Sequence, residues 1–319
     1  MSTADNQELI GIYLDTLLTQ RKLAAHTVES YGRDLAELLQ FADSANNGCK
    51  VASIGHFQIR KFAAQMHARG LNARSIARKL SCWRGFYDWL AQQDAELASN
   101  PVDGVKAPKR AKPLPKALSA DDAVRLVANG TPGRNAEASL QRCNRAMFEL
   151  LYSSGLRVSE LVGLDVHYVK EGDHISQGWI NFAEHEVTVT GKGSKTRSVP
   201  IGSAAMEALN DWLAVRDTLL KTDTAPLFLS ERGTRMSVRV VQLRLKAHAQ
   251  ALGIPSDVHP HVLRHSFASH VLQSSGDLRA VQEMLGHSAI TATQVYTSLD
   301  FQRLSQVYDA AHPRAQKKK

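Results

Sequence analysis

Between Val102 and Leu118 the chain changes character in a way that neither a continuous helix nor a central strand tolerates. Pro108, Pro113 and Pro115 lie close together, each without an N–H to donate and each with a fixed φ, so the stretch must run extended. Lys106, Lys109, Arg110, Lys112 and Lys116 occur there with no acid after Asp103. Such a segment separates parts of a chain that fold on cores of their own, and 319 residues suffice for two. We therefore expect a first domain at 1–103, a basic linker at 104–118 and a second domain at 119–319. The linker's Lys109, Arg110 and Lys112 are candidate contacts to a nucleic-acid backbone.

The first hundred residues carry four helical patterns. Leu9, Ile12, Tyr13 and Leu17 mark the first, and Val28, Tyr31, Leu35, Leu38 and Leu39 the second, with Thr27 as its expected N-cap. Phe57, Phe62 and Met66 mark the third, which Gly70 should stop. Asn72 should cap the fourth, whose Ile76, Leu80, Trp83, Phe86, Tyr87 and Leu90 form the richest apolar stripe of the chain. A bundle of about four helices follows. Arg69, Arg74, Arg78, Lys79 and Arg84 crowd its third connection and fourth helix. They are either a solvated face or a surface that tracks DNA phosphates, with Arg74, Arg78 and Lys79 as candidates.

Past the linker the periodicity is mixed. Ser119 and Asp122 suggest a capping box, a longer helix is expected over 136–152, and SSGLRVSELVGLD breaks at Gly155 and restarts. That restart places Arg157 at the beginning of a short helix, three residues before Glu160, which can hold its guanidinium. The β region follows: Trp179, Ile180 and Phe182 suggest one strand, Val187 to Thr190 a second, and TRSVPI its partner across the turn GKGS. Lys192 sits in that turn. GKGSKT is not a phosphate loop, because Gly193 stands where Ser or Thr must follow the lysine. Helices are expected at 204–220, with Val240, Val241, Leu243 and Leu245 as core of another at 238–252, and a strand-like PLFLS lies between them.

The most reactive composition lies near the end. In HVLRHSFASHV, a helix would bring His261, Arg264 and His265 to one face, where they could surround an anion. Leu285, Gly286 and His287 read as a helix stopped at glycine with an imidazole just beyond, and Tyr296 follows. A phenol is a poor nucleophile at neutral pH, but cationic neighbours favour the phenolate, and the same cations would hold a phosphate. HVLRH also has zincin spacing, but Val262 stands where the general-base glutamate belongs. After Tyr296, one more amphipathic helix bears Phe301, Leu304 and Val307, and either packs on its own domain or docks into a neighbour.

Thirty-nine Lys and Arg against 31 Asp and Glu give a net charge of +8, which favours a polyanionic partner. No apolar run is long enough for a membrane span, and the polar beginning is not a secretory signal. Cys49, Cys82 and Cys143 are odd in number and far apart, so neither a disulfide framework nor a cysteine zinc site is expected, and a reducing cytoplasm is the natural home.

GLRVSELVGL, TGKGSKTR, HVLRHSFASH, LGHSAITATQVY and DAAHPRA, in this order, resemble the motifs of the tyrosine recombinases, or phage integrase family, and within it the bacterial Xer proteins. The resemblance covers both domains. It departs at HYVKEGDHISQGWINFAEHE, which is longer than the matching loop of typical relatives. It implies a mainly α fold with a small β-sheet: an N-terminal helical core-binding (SAM-like) domain and a C-terminal α+β catalytic domain, closing on duplex DNA. It also implies roles. Tyr296 would form a 3′-phosphotyrosyl bond, Arg157 and Arg264 would hold the non-bridging oxygens, and His261 would help move the tyrosine proton. His287 would bond the phosphate, Lys192 would protonate the departing 5′-oxygen, and His265 would support. Neither metal nor cofactor is expected, since the covalent intermediate keeps the bond energy. Implied partners are DNA with two half-sites, a XerD-like paralogue in a heterotetramer, and an FtsK-like septal DNA translocase, for resolving chromosome dimers. The terminal helix would dock between neighbours. A recombinase of plasmids or mobile elements, and a DNA-binding protein without catalysis, are the alternatives.

Overall fold

A computed structural model describes residues 3–46, 50–93, 99–108, 117–128, 135–191, 196–221, 223–254, 257–286 and 298–315. The chain divides into two compact units, Met1–Pro113 and Leu114–Lys319, at a border inside the proline-rich stretch.

The first unit is helical: α1 (Thr3–Thr19), α2 (Ala25–Asn46), a single 3-10 turn (Val51–Ser53), α3 (His56–Ala68) and α4 (Ala73–Gln93). Its core is the apolar stripe of α4 closed over α1, α2 and α3, with Tyr13, Leu17, Leu35, Leu38, Phe62, Met66, Trp83, Phe86 and Tyr87 all nearly inaccessible. Phe41 and Phe62 stack at 4.9 Å. Two buried aromatic tips find partners: Trp83 donates to the Asp34 carbonyl (2.8 Å) and Tyr87 to the Val51 carbonyl (2.9 Å). Asn72 caps α4 by accepting from the Ser75 N–H, and Gly70 stops α3 at φ 84°. Three expectations fail. Thr27 is no N-cap, because α2 already starts at Ala25. Ile12 is 49% and Phe57 80% exposed; each falls at the margin of its helix's apolar arc, where periodicity does not decide burial.

The second unit begins with α5 (Ala120–Ala128), capped by Ser119, which accepts from the Asp122 N–H. Next come α6 (Asn135–Ser154), α7 (Val158–Val162) and two short strands, β1 (Lys170–Glu171) and β2 (His174–Ile175). One buried carboxylate staples this antiparallel hairpin: Asp165 accepts from Ser176 (2.5 Å) and Arg235 (2.6 Å) and bonds the His174 ring (2.9 Å). The main sheet is antiparallel, in the order β3 (Gly178–Asn181), β4 (Glu186–Thr190), β5 (Thr196–Pro200). Its register pairs Val187 with Val199 and Val189 with Arg197. PLFLS is not a strand; it makes only isolated bridges at Pro226 and Leu229.

The helices α8 (Ser203–Arg216), α9 (Val238–Ala251), α10 (Pro260–Ser275), α11 (Leu278–Leu285) and α12 (Ser298–Ala311) complete the unit. Among the described residues α6 is the innermost helix, with Ala146 to Tyr152 buried throughout, Glu149 included. On α9, Val241 and Leu245 are core as expected and Val240 packs against it, but Leu243 is half exposed. The terminal helix packs on its own unit. Leu304 and Tyr308 are buried, Tyr308 and Ser153 share a hydrogen bond of 2.6 Å, and beyond the helix His312 reaches the Tyr152 carbonyl while Arg314 pairs with Glu149.

Candidate active site

Two glycines decide how the site assembles. Gly155 ends the α6 turn at φ +57°, and a Cβ there would stand 2.4 Å from the Phe267 ring of α10. Only glycine lets α10 approach this closely, and the approach brings Arg264 to the start of α7. Gly286 ends α11 at φ +64°, where a Cβ would meet the Arg197 side chain at 3.0 Å.

Around these turns four charged side chains meet. Arg157, the residue before α7, donates its backbone N–H to Glu160 Oε2 (2.7 Å) and its Nη1 to Oε1 (2.8 Å). Arg197 on β5 grips the same carboxylate with both terminal nitrogens, each at 2.8 Å, and donates Nε to the Met284 carbonyl at 2.9 Å. Arg264 on α10 donates Nη1 to the Gly155 carbonyl and Nη2 to the Leu285 carbonyl (2.6 Å). Two guanidinium groups thus bond one carboxylate and a third lies within reach of its charge, leaving a positive surplus among the described residues in a largely desolvated place.

The titration of these groups reflects that crowding. Burial pushes the Glu160 carboxyl up, but the hydrogen bonds and charge of Arg197, joined by Arg157, win and hold it at about 2. Arg264 is pulled down to about 10, first by burial and then by the positive charge of Arg157. It therefore stays cationic at neutral pH. Arg264 and Arg197 are buried, whereas 36% of the Arg157 side chain is exposed, and among the described residues its guanidinium is seen to donate to Glu160 alone. An anion meeting Arg157 would find a partly desolvated, preorganised cationic surface.

Three of the six candidate catalytic residues fall in this region of described structure. Arg157 and Arg264 lie close enough for the charge of one to act on the other. His261 lies one turn before Arg264, exposed, its ring edge-on to His259 at 6.1 Å. His265 is exposed on α10, and among the described residues no group of three His, Cys, Asp or Glu side chains could hold a metal. Lys192, His287 and Tyr296 lie outside the described residues, as do Lys109, Arg110 and Lys112 of the linker.

In the first unit, Arg74 is exposed. Arg78 pairs with Asp34 while keeping 45% of its side chain exposed. Lys79 is put to a different use: buried, its ammonium lies between Asp34 (3.0 Å) and Glu37 (2.5 Å) and ties α4 to α2. The sequence reading missed an open groove of about 560 Å³ between α3 and residues 104–108, lined by His56, Arg60, His67 and Lys106 without a carboxylate. The signal was there, since His56, Arg60 and His67 repeat along one face of α3. Arg197 was missed as well.

The model of the phage integrase family matches residues 116–303, and that of the phage integrase N-terminal SAM-like domain matches 10–94. Tyrosine recombinase XerC 1 of Ralstonia nicotianae is 55% identical over 314 residues, covering 97% of this chain and 94% of that protein. Tyrosine recombinase XerC of Pseudomonas aeruginosa is 43% identical, covering 97% and 96%. Among solved structures, the Tn1549 transposon integrase in complex with transposon right end DNA shares the fold at a TM-score of 0.66 and 18% identity, covering 95% of this chain and 98% of that one. XerH recombinase bound to palindromic difH substrate does so at 0.65 and 18%, covering 97% and 84%. With a family model over more than half its length and relatives of such identity over nearly all of it, the chain belongs to the phage integrase family, as a XerC-like site-specific tyrosine recombinase.

Proposed function

We propose that the Arg157–Glu160–Arg264 cluster receives a DNA phosphodiester and that Tyr296 attacks it. The phenol oxygen bonds to phosphorus while the bond to the 5′-oxygen breaks, leaving a 3′-phosphotyrosyl link and a 5′-hydroxyl. Arg157 and Arg264 stabilise the charge that grows on the non-bridging oxygens. His261 takes part in removing the phenol proton, Lys192 delivers a proton to the leaving oxygen, and His287 adds a hydrogen bond to the phosphate. A 5′-hydroxyl from another strand then reverses the step, so the bond is carried over without an external energy source. Observation and reading meet at Arg157, whose guanidinium is oriented by Glu160 yet still open on one side.

In the first domain, Arg74, Arg78 and the groove of Arg60 and Lys106 hold the duplex backbone, and Lys109, Arg110 and Lys112 continue the path. The similarity to XerC proteins supports a two-half-site DNA target, a XerD-like paralogue in a heterotetramer, an FtsK-like septal translocase as regulator, resolution of chromosome dimers as the task, and a cytoplasmic location. No described helix is long and apolar enough to cross a membrane. The test is a nicked duplex that traps the covalent adduct. Wild type should accumulate adduct at Tyr296, and Tyr296→Phe should bind the DNA yet form none; an adduct that persists in Tyr296→Phe refutes the assignment.

A further inference from the structure

Arg197 is almost wholly enclosed, 5% exposed, and each of its three nitrogens donates to a partner inside the protein. It is therefore no phosphate ligand, yet it touches both neighbours of the phosphate site. Two of its nitrogens complete the hydrogen-bond shell of Glu160, the carboxylate that orients Arg157. The third satisfies the Met284 carbonyl in the last turn of α11, whose following carbonyl, that of Leu285, accepts from Arg264. Two guanidinium groups thus close the negative end of α11, where unpaired carbonyls and the helix dipole favour cations. The chain leaves this end through Gly286, whose left-handed backbone suits glycine and where a Cβ would crowd Arg197 at 3.0 Å, and His287 follows in the sequence.

We propose that Arg197 is a positioning residue: from one point on β5 it fixes the Glu160 carboxylate that presents Arg157 and pins the end of α11 from which His287 departs. This rests on the reading of Arg157 as a phosphate ligand. The chemistry demands arginine. A planar fork grips both carboxylate oxygens while Nε points elsewhere, whereas an ammonium offers no such flat, two-pronged grip. Lysine at 197 would keep the charge and lose the geometry.

Single-turnover cleavage of the nicked duplex decides the matter, with wild type, Arg197→Lys, Glu160→Gln and the double variant compared at equal folded fraction. Arg197→Lys should hold its DNA affinity within about threefold while cutting about 100-fold more slowly, because ground-state binding rests on many contacts and the loss falls on the transition state. Glu160→Gln should behave likewise. The double variant should be no slower than the slower single one, since the two act as a unit. A tie that only supports folding would lower stability and leave both the split between rate and affinity and the non-additivity absent. An Arg197→Lys enzyme cutting within about threefold of wild type, or losses that multiply in the double variant, overturns the proposal. Should Arg197→Lys not fold, Glu160→Gln decides it: slow cleavage at unchanged affinity sustains the role, and normal cleavage ends it. Tyr296→Phe, run alongside, reports separately on the catalytic reading.

Discussion

Two charge clusters, one in each unit, use the same ingredients to different ends. In the first, Asp34 and Glu37 of α2 face Arg78 and Lys79 of α4, so two negative charges meet two positive ones and the account closes on itself. In the second, among the described residues, Glu160 is the one carboxylate paired with Arg157 and Arg197, and its charge acts on Arg264 as well. A balanced cluster binds helices to each other; an unbalanced one holds a surplus that a ligand of opposite sign must complete. The distinction lies in stoichiometry and in which group keeps an open side. Burial alone does not separate them, since Asp34 and Glu160 are both nearly inaccessible.

The comparison breaks most readily at Arg157. Arg157→Ala should slow cleavage by about 10²- to 10³-fold, equivalent to about 3–4 kcal/mol of transition-state stabilisation, with DNA binding retained in a mobility-shift assay. If it melts the protein instead and leaves the rate of the folded fraction unchanged, the second cluster is a tie like the first. Lys79→Met is the converse variant. Removing one partner of a buried pair should cost about 3 kcal/mol in denaturant unfolding, with cleavage by the folded protein unaffected.

A pH series sharpens the contrast further. Glu160 has a folded pKa of about 2 against an ordinary 4.5, so its contribution is complete above 4.5 and drains away as pH falls toward 2. That contribution is on the order of 3 kcal/mol, and Glu160→Gln should abolish this part of the acid dependence in unfolding measurements. The smallest effect belongs to Phe57→Ser, which should change stability by less than about 0.5 kcal/mol because the ring is already in water. A larger loss would mean that the exposed ring has a partner.

Much of this was legible in the chain. Gly70, Asn72, Ser119 and Gly286 announce helix ends because the backbone conformations and orphan N–H groups there suit few other residues. Arg157 and Glu160 are neighbours in sequence, so their contact could be anticipated. Arg197 was not, because its partners Glu160 and Met284 are remote in the chain and strand alternation carries no information about them. A signal did exist. Arg197 stands in phase with Val199, which is buried, and a guanidinium on the apolar face of a strand requires an anion inside. Lys79 gave the same kind of notice, falling within the stripe of Ile76, Leu80 and Trp83. Ile12, Phe57 and Leu243 were misjudged for the opposite reason: a period identifies the direction of the buried face but not its width.

The ion pair between Arg314 and Glu149 constrains what the end of the chain is free to do. Glu149 lies in the middle of α6 with no exposure to water, and burial already pushes its carboxyl up against the pull of Arg314. Were the tail to depart, that carboxylate would be stranded, and Tyr152 would lose the tilted contact with the His312 ring, 4.8 Å away. Departure of this segment without a replacement cation for Glu149 is therefore disfavoured, and the ion pair acts as a latch that holds the last described residues against α6.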